Sequence, residues 1–522
     1  MKPSPLRSLL SSLALCLAVL LAACGTPPPA VPTAFIVTVT PDALAQPTGT
    51  PFQPADLMPA SSPLPTLAPT LPPAATATQA PTAAPLPTLP PPPGERAGYR
   101  LDVTLNYPAH WVSVDETIVY PNQTGQALTA LVLAVEPNRW ESCFTLIAIT
   151  VNDLPVANHI LTGIRLDLPL PATLEPGQSA TLRIHYTLYL PPTSGDNIFG
   201  YNNAQVNLVN WYPFVVPYDP ARGWLLHQPT EVGEHLVYDV ADFDVTLRQS
   251  EPALPLVVAA SAPQEQGENG WRYRFERART FALSASTQYQ VSSMTIGAVT
   301  VNSYYFAGHG RAGEATMRSV AQSLVTYSER FAPYHHTSLS IVEAYFPDGM
   351  EYDGLFFLAR SFYDNYDGTM QNNLTTIGVH EAAHQWWFGL VGNNQALEPW
   401  LDEALCTYSE RIFYESNYPH LVYWWWGFRV NSWEPSGWVD TDIYSGLSFR
   451  PYTNAAYLRG ARFLQALRDR IGDEAFNAFL REYTRQMAYR QSTSADFFRI
   501  LREQTSVNFA DIVTSYFRDS NR

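Results

Sequence analysis

Two histidines and a glutamate in the run GVHEAAHQWWFG have the types and the spacing that metal-assisted hydrolysis requires. His380 and His384 are four residues apart, so on a helix their rings project from one face, as two ligands of a single metal must. Glu381 stands between them and completes an H-E-x-x-H pattern, in which the imidazoles bind zinc and the glutamate acts on the metal's water. Two surface histidines on an ordinary helix remain an alternative.

A third ligand is predicted downstream. Glu403 follows His384 by 19 residues, on a second helix expected to begin around Pro399, a residue suited to a first helical turn. Two histidines and a carboxylate give a catalytic zinc three protein ligands and leave its fourth position open for water. The sequence therefore predicts one Zn²⁺ per chain, bound by His380, His384 and Glu403. Nearby Cys406 is expected to pack rather than to bind the metal.

The composition indicates a folded, acidic protein. The chain has 522 residues, of which 46% are hydrophobic, enough for a large core and, by length, for two domains. Its formal net charge is -16, whereas a surface that binds nucleic acid or anionic lipid needs clustered Lys and Arg. We therefore expect no nucleic-acid partner.

The first residues have the pattern of an export signal. Lys2 and Arg7 precede the apolar run LLSSLALCLAVLLAAC, which is short for a transmembrane helix. The run ends in Leu21-Ala22-Ala23-Cys24, which resembles a bacterial lipobox. We expect residues 1–23 to be a signal peptide and Cys24 to be acylated, so that the protein is lipid-anchored to a bacterial membrane outside the cytoplasm, at the cell surface or in the periplasm. The alternative is a plain signal peptide with a coincidental cysteine.

Residues 24–93 are predicted to be a disordered tether. Between Gly25 and Pro93 lie 21 of the 45 prolines of the chain, mixed with Ala and Thr, and the only charges are Asp42 and Asp56. Such a segment cannot form a packed core and favours extended conformations.

The folded part is predicted to belong to the α+β class. From residue 94 to about 300, period-two alternation in stretches such as YRLDVTLNY and ATLRIHYTLYL, separated by turn signals, indicates an all-β domain. After Gly313 the period changes, and Met317, Val320, Ala321 and Leu324 fall on one helical face. Residues 301–522 are therefore expected to form a mostly helical catalytic domain, in which Thr493 and Asp496 form a capping box before one helix.

Several other reactive residues are expected to be structural. Cys143 and Cys406 lie in different predicted domains, so we expect both to be small core residues rather than a disulfide. His335 and His336 precede the predicted strand SLSIVEAYF and are expected to lie in a loop.

The run HEAAHQWWFG and the later EPWLDEALCTYSE resemble the gluzincin metallopeptidases of the aminopeptidase N family. The family places the equivalent of Glu403 in a W-L-N-E-G-like motif, in which this chain has Asp402 for Asn and Ala404 for Gly. The resemblance implies a β domain followed by a thermolysin-like catalytic domain. It also implies hydrolysis of peptides with Glu381 as the general base and acid.

Two more family motifs have counterparts here. The family has a G-x-M-E-N strand whose glutamate binds the free amino group of a peptide. The run DGMEYDG matches it with Gly349, Met350 and Glu351 in a substrate-binding role, although Asp348 replaces the first Gly and Tyr352 replaces Asn. The family also has a tyrosine in a Y-x-K-G-A context that stabilises the oxyanion, and AAYLRGA offers Tyr457. Tyr452, five residues earlier, is the alternative candidate for this role. The segment around Trp211 resembles the one with which the family's β domain approaches the active site.

The resemblance thus implies a zinc aminopeptidase that acts on peptide substrates. An endopeptidase or a hydrolase of a non-peptide substrate is an alternative, because the G-x-M-E-N motif is altered. A lipoprotein that merely binds peptides or other partners is an alternative of another class. Its mark would be loss of a candidate ligand or catalytic residue, and none of them is lost: His380, Glu381, His384, Glu403 and Tyr457 are all present.

Overall fold

The computed structural model describes residues 89–519, apart from residues 93, 194, 196, 268 and 269. The predicted signal peptide, Cys24 and nearly all of the predicted tether lie outside the described residues. The described residues all belong to one compact unit. Within the described part, no helix combines the length and the apolar character needed to cross a membrane.

The amino-terminal part is built from strands whose apolar residues alternate with polar ones. In β1 every second residue from Tyr99 to Leu105 is buried, as the sequence alternation predicts. β1 pairs in parallel with β14 and antiparallel with β2, at the centre of an eight-stranded sheet of order β16-β17-β14-β1-β2-β8-β4-β5. The strands in this part are β1 (Ala97–Asn106), β2 (Trp111–Pro121), β3 (Leu128–Ala134), β4 (Phe144–Val151), β5 (Leu154–Pro155), β6 (Ile160–Thr162), β7 (Arg165–Leu174), β8 (Ser179–Tyr189), β9 (Gly200–Tyr201), β10 (Val206–Leu208), β11 (Phe214–Val215), β12 (Tyr218–Asp219), β13 (Gly223–Trp224), β14 (Ala241–Gln249), β15 (Val257–Ala260), β16 (Gln264–Gly267), β17 (Gly270–Ala278) and β18 (Leu283–Ser286).

Two four-stranded sheets, with strand orders β15-β18-β10-β9 and β11-β3-β7-β6, and the two-stranded sheet β12-β13 complete this part. Their inward side chains and those of the large sheet form one hydrophobic core. Cys143 is buried in it, and neither Cys143 nor Cys406 forms a disulfide.

A five-stranded sheet leads into the carboxy-terminal part. Its order is β19-β20-β21-β23-β22, in which β20, β21 and β23 are parallel and β22 is an antiparallel edge strand. The parallel strands β21 and β23 are buried along their whole length, as is usual for strands covered on both faces. The strands are β19 (Gln290–Ile296), β20 (Val299–Tyr305), β21 (Ser338–Ala344), β22 (Gly349–Tyr352) and β23 (Leu355–Ala359); a short pair, β24 (Gly392–Asn393) and β25 (Gln491–Ser492), lies further on.

Helices form the remainder and pack around a second hydrophobic core. The first of them buries Met317, Val320, Ala321 and Leu324, the face that the sequence predicts. Thr493 and Asp496 form the predicted capping box. The helices are α1 (Gly310–Arg330), α2 (Arg360–Asp364), α3 (Asn373–Ala383), α4 (Trp400–Asn417), α5 (Val422–Trp425), α6 (Phe449–Thr453), α7 (Gly460–Ile471), α8 (Asp473–Met487), α9 (Ser494–Gln504) and α10 (Ala510–Tyr516).

A sheet-rich amino-terminal part followed by a mostly helical part confirms the predicted α+β class. The predicted domain boundary at residues 300 and 301 falls within β20 and stays a prediction.

Candidate active site

The two histidines lie at the end of a buried helix. Asn372 caps α3 by accepting a hydrogen bond from the Thr375 backbone N–H at 2.8 Å. Every residue from Leu374 to Ala383 is buried, so this helix lies in the core rather than at the surface. His380 is in its last turn and His384 is its C-cap residue. The alternative of two surface histidines is therefore wrong.

Glu403 meets both imidazoles. It lies in the first turn of α4, which begins after Pro399. Its Oε2 is 3.2 Å from Nε2 of His380 and 3.7 Å from Nε2 of His384. Zinc–ligand bonds of about 2.0–2.1 Å at tetrahedral angles would separate ligand atoms by about 3.3–3.4 Å. The three side chains are thus spaced as ligands of one metal ion.

Hydrogen bonds to the opposite ring edges favour the tautomers that zinc needs. Nδ1 of His384 lies 3.1 Å from the Trp387 backbone carbonyl, which can only accept, so Nδ1 carries the proton. Nδ1 of His380 lies 2.8 Å from Oε1 of Glu410. Each Nε2 is then left with a free lone pair directed towards Glu403, and the donor set fits a zinc ion.

Glu410 is a site residue that the sequence prediction missed. It is fully buried, and besides His380 it accepts hydrogen bonds from Nε1 of Trp425 at 2.9 Å and from the guanidinium of Arg429. Arg429 and the hydrogen bond from His380 keep the pKa of Glu410 below its usual value despite the opposing effect of burial. The charged carboxylate orients His380. Glu410 lies seven residues after Glu403, two turns along the same helix, so its spacing in the sequence could have indicated it.

Glu381 faces the same space from α3. A Cβ atom built on Gly349 would lie 2.1 Å from Oε1 of Glu381, so the strand can approach this carboxylate because residue 349 has no side chain. Oε2 of Glu381 is buried and has no hydrogen-bond partner among the described residues. Burial, reinforced by the charges of Glu351 and Glu403, raises the pKa of Glu381 well above its usual value.

Glu351 lies on the edge strand β22, two residues after Gly349. Its side chain is buried, and its Oε1 accepts a hydrogen bond from Nε2 of Gln395 at 3.2 Å. Ligand atoms of Glu351, Glu381 and His384 all lie within 4.8 Å of one another. Met350 packs against the core of the amino-terminal part.

Glu234 joins this group from the amino-terminal part, where no sequence motif pointed to it. It lies between β13 and β14, and its carboxylate is within 4.8 Å of those of Glu351 and Glu403. Gly233 makes this approach possible, because a Cβ there would lie 2.6 Å from the Tyr452 hydroxyl. Trp211, in the segment expected to approach the site, is itself buried and donates to the Phe281 carbonyl.

Tyr457, not Tyr452, stacks on a histidine. The Tyr457 ring is nearly parallel to that of His380, at 3° and with centroids 6.3 Å apart. Burial, followed by the nearby charge of Glu403, raises the pKa of its hydroxyl, so it stays a proton donor at neutral pH. The Tyr452 hydroxyl is buried and has no hydrogen-bond partner in the part of the chain that the structure describes.

The site therefore concentrates negative charge. Glu234, Glu351, Glu381 and Glu403 are close together, and burial raises the pKa of each of their carboxyls. Such a cluster is favourable only when protons or cations neutralise its charge. A metal at the histidines and a substrate ammonium beside Glu351 would both supply positive charge.

The chain is similar to known peptidases in sequence and in fold. Residues 315–516 match the family model described as the peptidase family M1 domain. Aminopeptidase M1-B of Oryza sativa subsp. japonica is 24% identical over 243 residues, which are 43% of this chain and 28% of that protein. Aminopeptidase N of Lactobacillus delbrueckii subsp. lactis is 22% identical over 284 residues, 50% of this chain and 33% of that protein. The chain thus spans about a third or less of these relatives.

Solved structures share the fold over a larger part of the chain. The crystal structure of an M1 zinc metallopeptidase from Deinococcus radiodurans superposes with a TM-score of 0.56 and 21% identity, and covers 78% of this chain and 90% of that one. A mutant of that metallopeptidase bound to a Tyr-Ser-Ala substrate superposes with a TM-score of 0.55. These matches confirm the resemblance to the aminopeptidase N-like gluzincins.

Proposed function

We propose that this chain, which carries a peptidase family M1 domain, is a zinc-dependent aminopeptidase that removes residues from the amino terminus of peptides. The observation that carries the proposal is the meeting of Glu234 and Glu351 with Glu403 within 4.8 Å. Glu403 belongs to the set of side chains that fits a metal ion, and Glu234 and Glu351 form a pocket for a second positive charge. The ammonium group of a free amino terminus is such a charge, and an internal peptide bond has none.

The residues that would hold the metal are His380, His384 and Glu403, with one zinc ion per active site. A bound zinc ion would polarise the scissile carbonyl and lower the pKa of a water molecule towards neutrality. Glu410 holds His380, and the Trp387 carbonyl holds His384, in the orientation that leaves each Nε2 free.

Glu381 is proposed to move the proton. Its Oε2 is free of partners among the described residues and can accept the proton of the attacking water. Gly349 leaves room for the other carboxylate oxygen, so that the group keeps its place beside the substrate. The raised pKa of Glu381 suits a group that must then give the proton to the leaving amine.

Tyr457 is proposed to donate a hydrogen bond to the oxyanion that develops on the substrate carbonyl. Its ring lies parallel to that of His380, and its hydroxyl lies next to the Glu403 carboxylate. Burial keeps the hydroxyl protonated, and such a donor is worth about 2.7–4 kcal/mol in the transition state.

Glu351 and Glu234 are proposed to hold the substrate's amino group. Gln395 fixes the Glu351 carboxylate by a hydrogen bond, whereas Oε2 of Glu234 is buried without a partner among the described residues. Ion pairing with an ammonium group would satisfy that oxygen and set the first peptide bond at a fixed distance from Glu381.

The cellular setting is proposed from the sequence alone. An acylated Cys24 followed by a proline-rich tether would hold the enzyme on the outer side of a bacterial membrane, where its substrates would be extracytoplasmic peptides.

The test uses aminoacyl fluorogenic amides and their N-acetylated counterparts, with the full chain in zinc-containing buffer and Glu381→Gln as the inactive control. We expect cleavage of the free-amine substrates alone, and none by the variant. Comparable cleavage of the blocked substrates would favour an endopeptidase, and a zinc-loaded protein inert on both would favour a non-peptide substrate or a binding role.

A further inference from the structure

A second group of metal-binding side chains lies outside the active site. His335 and His336 stand in the loop that precedes β21, and Asp353 lies in the turn between β22 and β23. One ligand atom from each lies within 4.8 Å of the other two. None of the three belongs to the His380, His384 and Glu403 set.

Four polar side-chain atoms of this group are buried without a hydrogen-bond partner among the described residues. The side chains of His335, His336 and Asp353 are 1%, 5% and 0% exposed. Both ring nitrogens of His335, Nε2 of His336 and Oδ1 of Asp353 lack a hydrogen-bond partner among the described residues. Buried polar groups are almost always satisfied, so four unpaired atoms in one place call for a ligand.

Their spacing is close to that of metal ligands. Oδ1 of Asp353 lies 3.6 Å from Nε2 of His336 and 3.9 Å from Nε2 of His335. Tetrahedral coordination at about 2.0–2.1 Å would bring such atoms to about 3.3–3.4 Å. Movements of a few tenths of an ångström in the two rings would be sufficient.

The surrounding chain holds the Asp353 carboxylate in place. Its Oδ2 accepts a hydrogen bond from the Arg279 backbone N–H at 2.5 Å, which leaves Oδ1 directed at the histidines. A Cβ built on Gly389 would lie 2.3 Å from Oδ1, so the space beside this oxygen exists because residue 389 is glycine. The Asp353 backbone N–H donates to Oγ1 of Thr280 at 3.0 Å. Partners of this kind orient a ligand carboxylate.

The guanidinium of the neighbouring Arg279 does not hydrogen-bond to Oδ1 of Asp353. The guanidinium of Arg279 donates to the backbone carbonyls of Tyr238, Gly389 and Arg490. Asp353 therefore remains able to supply a negative charge to a cation at Oδ1.

We propose that His335, His336 and Asp353 bind one divalent transition-metal ion, zinc being the ion expected for two imidazoles and a carboxylate. This ion is additional to the single zinc per chain that the sequence predicts. It ties the loop before β21 to the turn after β22, and that turn begins two residues after Glu351. A water molecule would complete the coordination of this ion.

The test counts metal in full-length protein, so it is independent of any enzymatic activity. Protein equilibrated with zinc chloride and passed through gel filtration is analysed by inductively coupled plasma mass spectrometry. We expect two zinc ions per wild-type chain and one in the double variant His380→Ala/His384→Ala. Adding Asp353→Asn to the double variant should bring the count close to zero. Adding His335→Gln instead should weaken zinc binding at least tenfold in a chelator competition.

His309→Gln in the same double variant is the matched control. His309 is another largely buried histidine, and it contacts the carboxylates of Glu343 and Asp364. Its substitution should leave the count at one zinc ion per chain. Circular dichroism verifies that each variant is folded. A folded double variant without zinc would overturn the proposal and leave His336 and Asp353 as a simple ion pair. Retention of one zinc ion in the folded His380→Ala/His384→Ala variant that also carries Asp353→Asn and His335→Gln would also overturn it.

Discussion

Oε1 of Glu410 lies 2.8 Å from Nδ1 of His380, on the opposite edge of the ring from Glu403. Two residues of one helix, seven positions apart, thus contact the two nitrogens of a single imidazole. Glu403 is itself a candidate metal ligand, and Glu410 sets the tautomer and the orientation of His380, a second candidate ligand.

Glu410→Gln should therefore weaken zinc binding about 10–100-fold, because the imidazole loses a charged acceptor. Glutamine can still bond to Trp425 and Arg429, so the fold should survive. The measurement is zinc affinity by chelator competition, with thermal unfolding as a check. Glu415→Gln is the matched control, since Glu415 lies on the same helix and also pairs with arginines, Arg411 and Arg468, but its side chain is 30% exposed. Equal affinities in wild type and Glu410→Gln would contradict the assignment.

Glu234→Gln should lower kcat/KM for free-amine substrates at least tenfold, mainly through KM. The variant removes one negative charge facing the ammonium group, and a tenfold effect corresponds to about 1.4 kcal/mol. Glu231→Gln, three residues earlier and exposed, serves as the control. An unchanged KM would remove Glu234 from the substrate site.

Tyr457→Phe should reduce kcat about 10²–10³-fold with little change in KM, because the lost hydrogen bond forms only in the transition state. Tyr452→Phe should stay within about threefold of wild type, since its hydroxyl has no partner among the described residues. Steady-state kinetics of both variants decide between the two tyrosines. The reverse order of effects would assign the role to Tyr452.

Glu116 should make stability depend on pH. It is buried on β2, both carboxylate oxygens lack hydrogen-bond partners in the described part of the chain, and burial raises its pKa well above the usual value. A proton on Glu116 therefore binds more tightly in the folded state. This contribution to stability is fully present below the unfolded-state pKa of about 4.3 and is lost as the pH rises through the folded-state pKa.

Glu116→Gln, which cannot ionise, should accordingly stabilise the protein at pH 8 by about 1.4 kcal/mol or more relative to its effect at pH 4. Urea unfolding of both proteins at the two pH values measures this difference. Exposed Glu175→Gln should show none. A stabilisation that is greater at pH 4 than at pH 8 would refute the reasoning.

The sequence could predict those parts of the site that lie close together along the chain. The four-residue spacing of His380 and His384 specifies one helical face, and the family motifs drew attention to Glu351, Glu403 and Tyr457. Glu234 was beyond such reasoning, because its position depends on how a loop between β13 and β14 packs against residues over a hundred positions later. The burial of His335 and His336 was missed for the same reason. The local sequence of their loop does not show that other segments of the chain cover it.

The alternation of buried residues in β1 and the capping box at Thr493 were predictable because each depends on neighbours a few residues apart. The strand order was not. The parallel pairing of β1 with β14 joins segments about 140 residues apart, and only tertiary packing specifies it.

The most direct test of the central claim follows one unlabelled octapeptide and its N-acetylated form by mass spectrometry in the presence of the full-length, zinc-loaded protein. We predict products shortened by one, two and three residues from the amino end of the free peptide. The acetylated form, and either peptide with Glu381→Gln, should remain intact. Cleavage of the acetylated peptide at an internal bond would contradict the proposal that Glu234 and Glu351 select a free amino terminus.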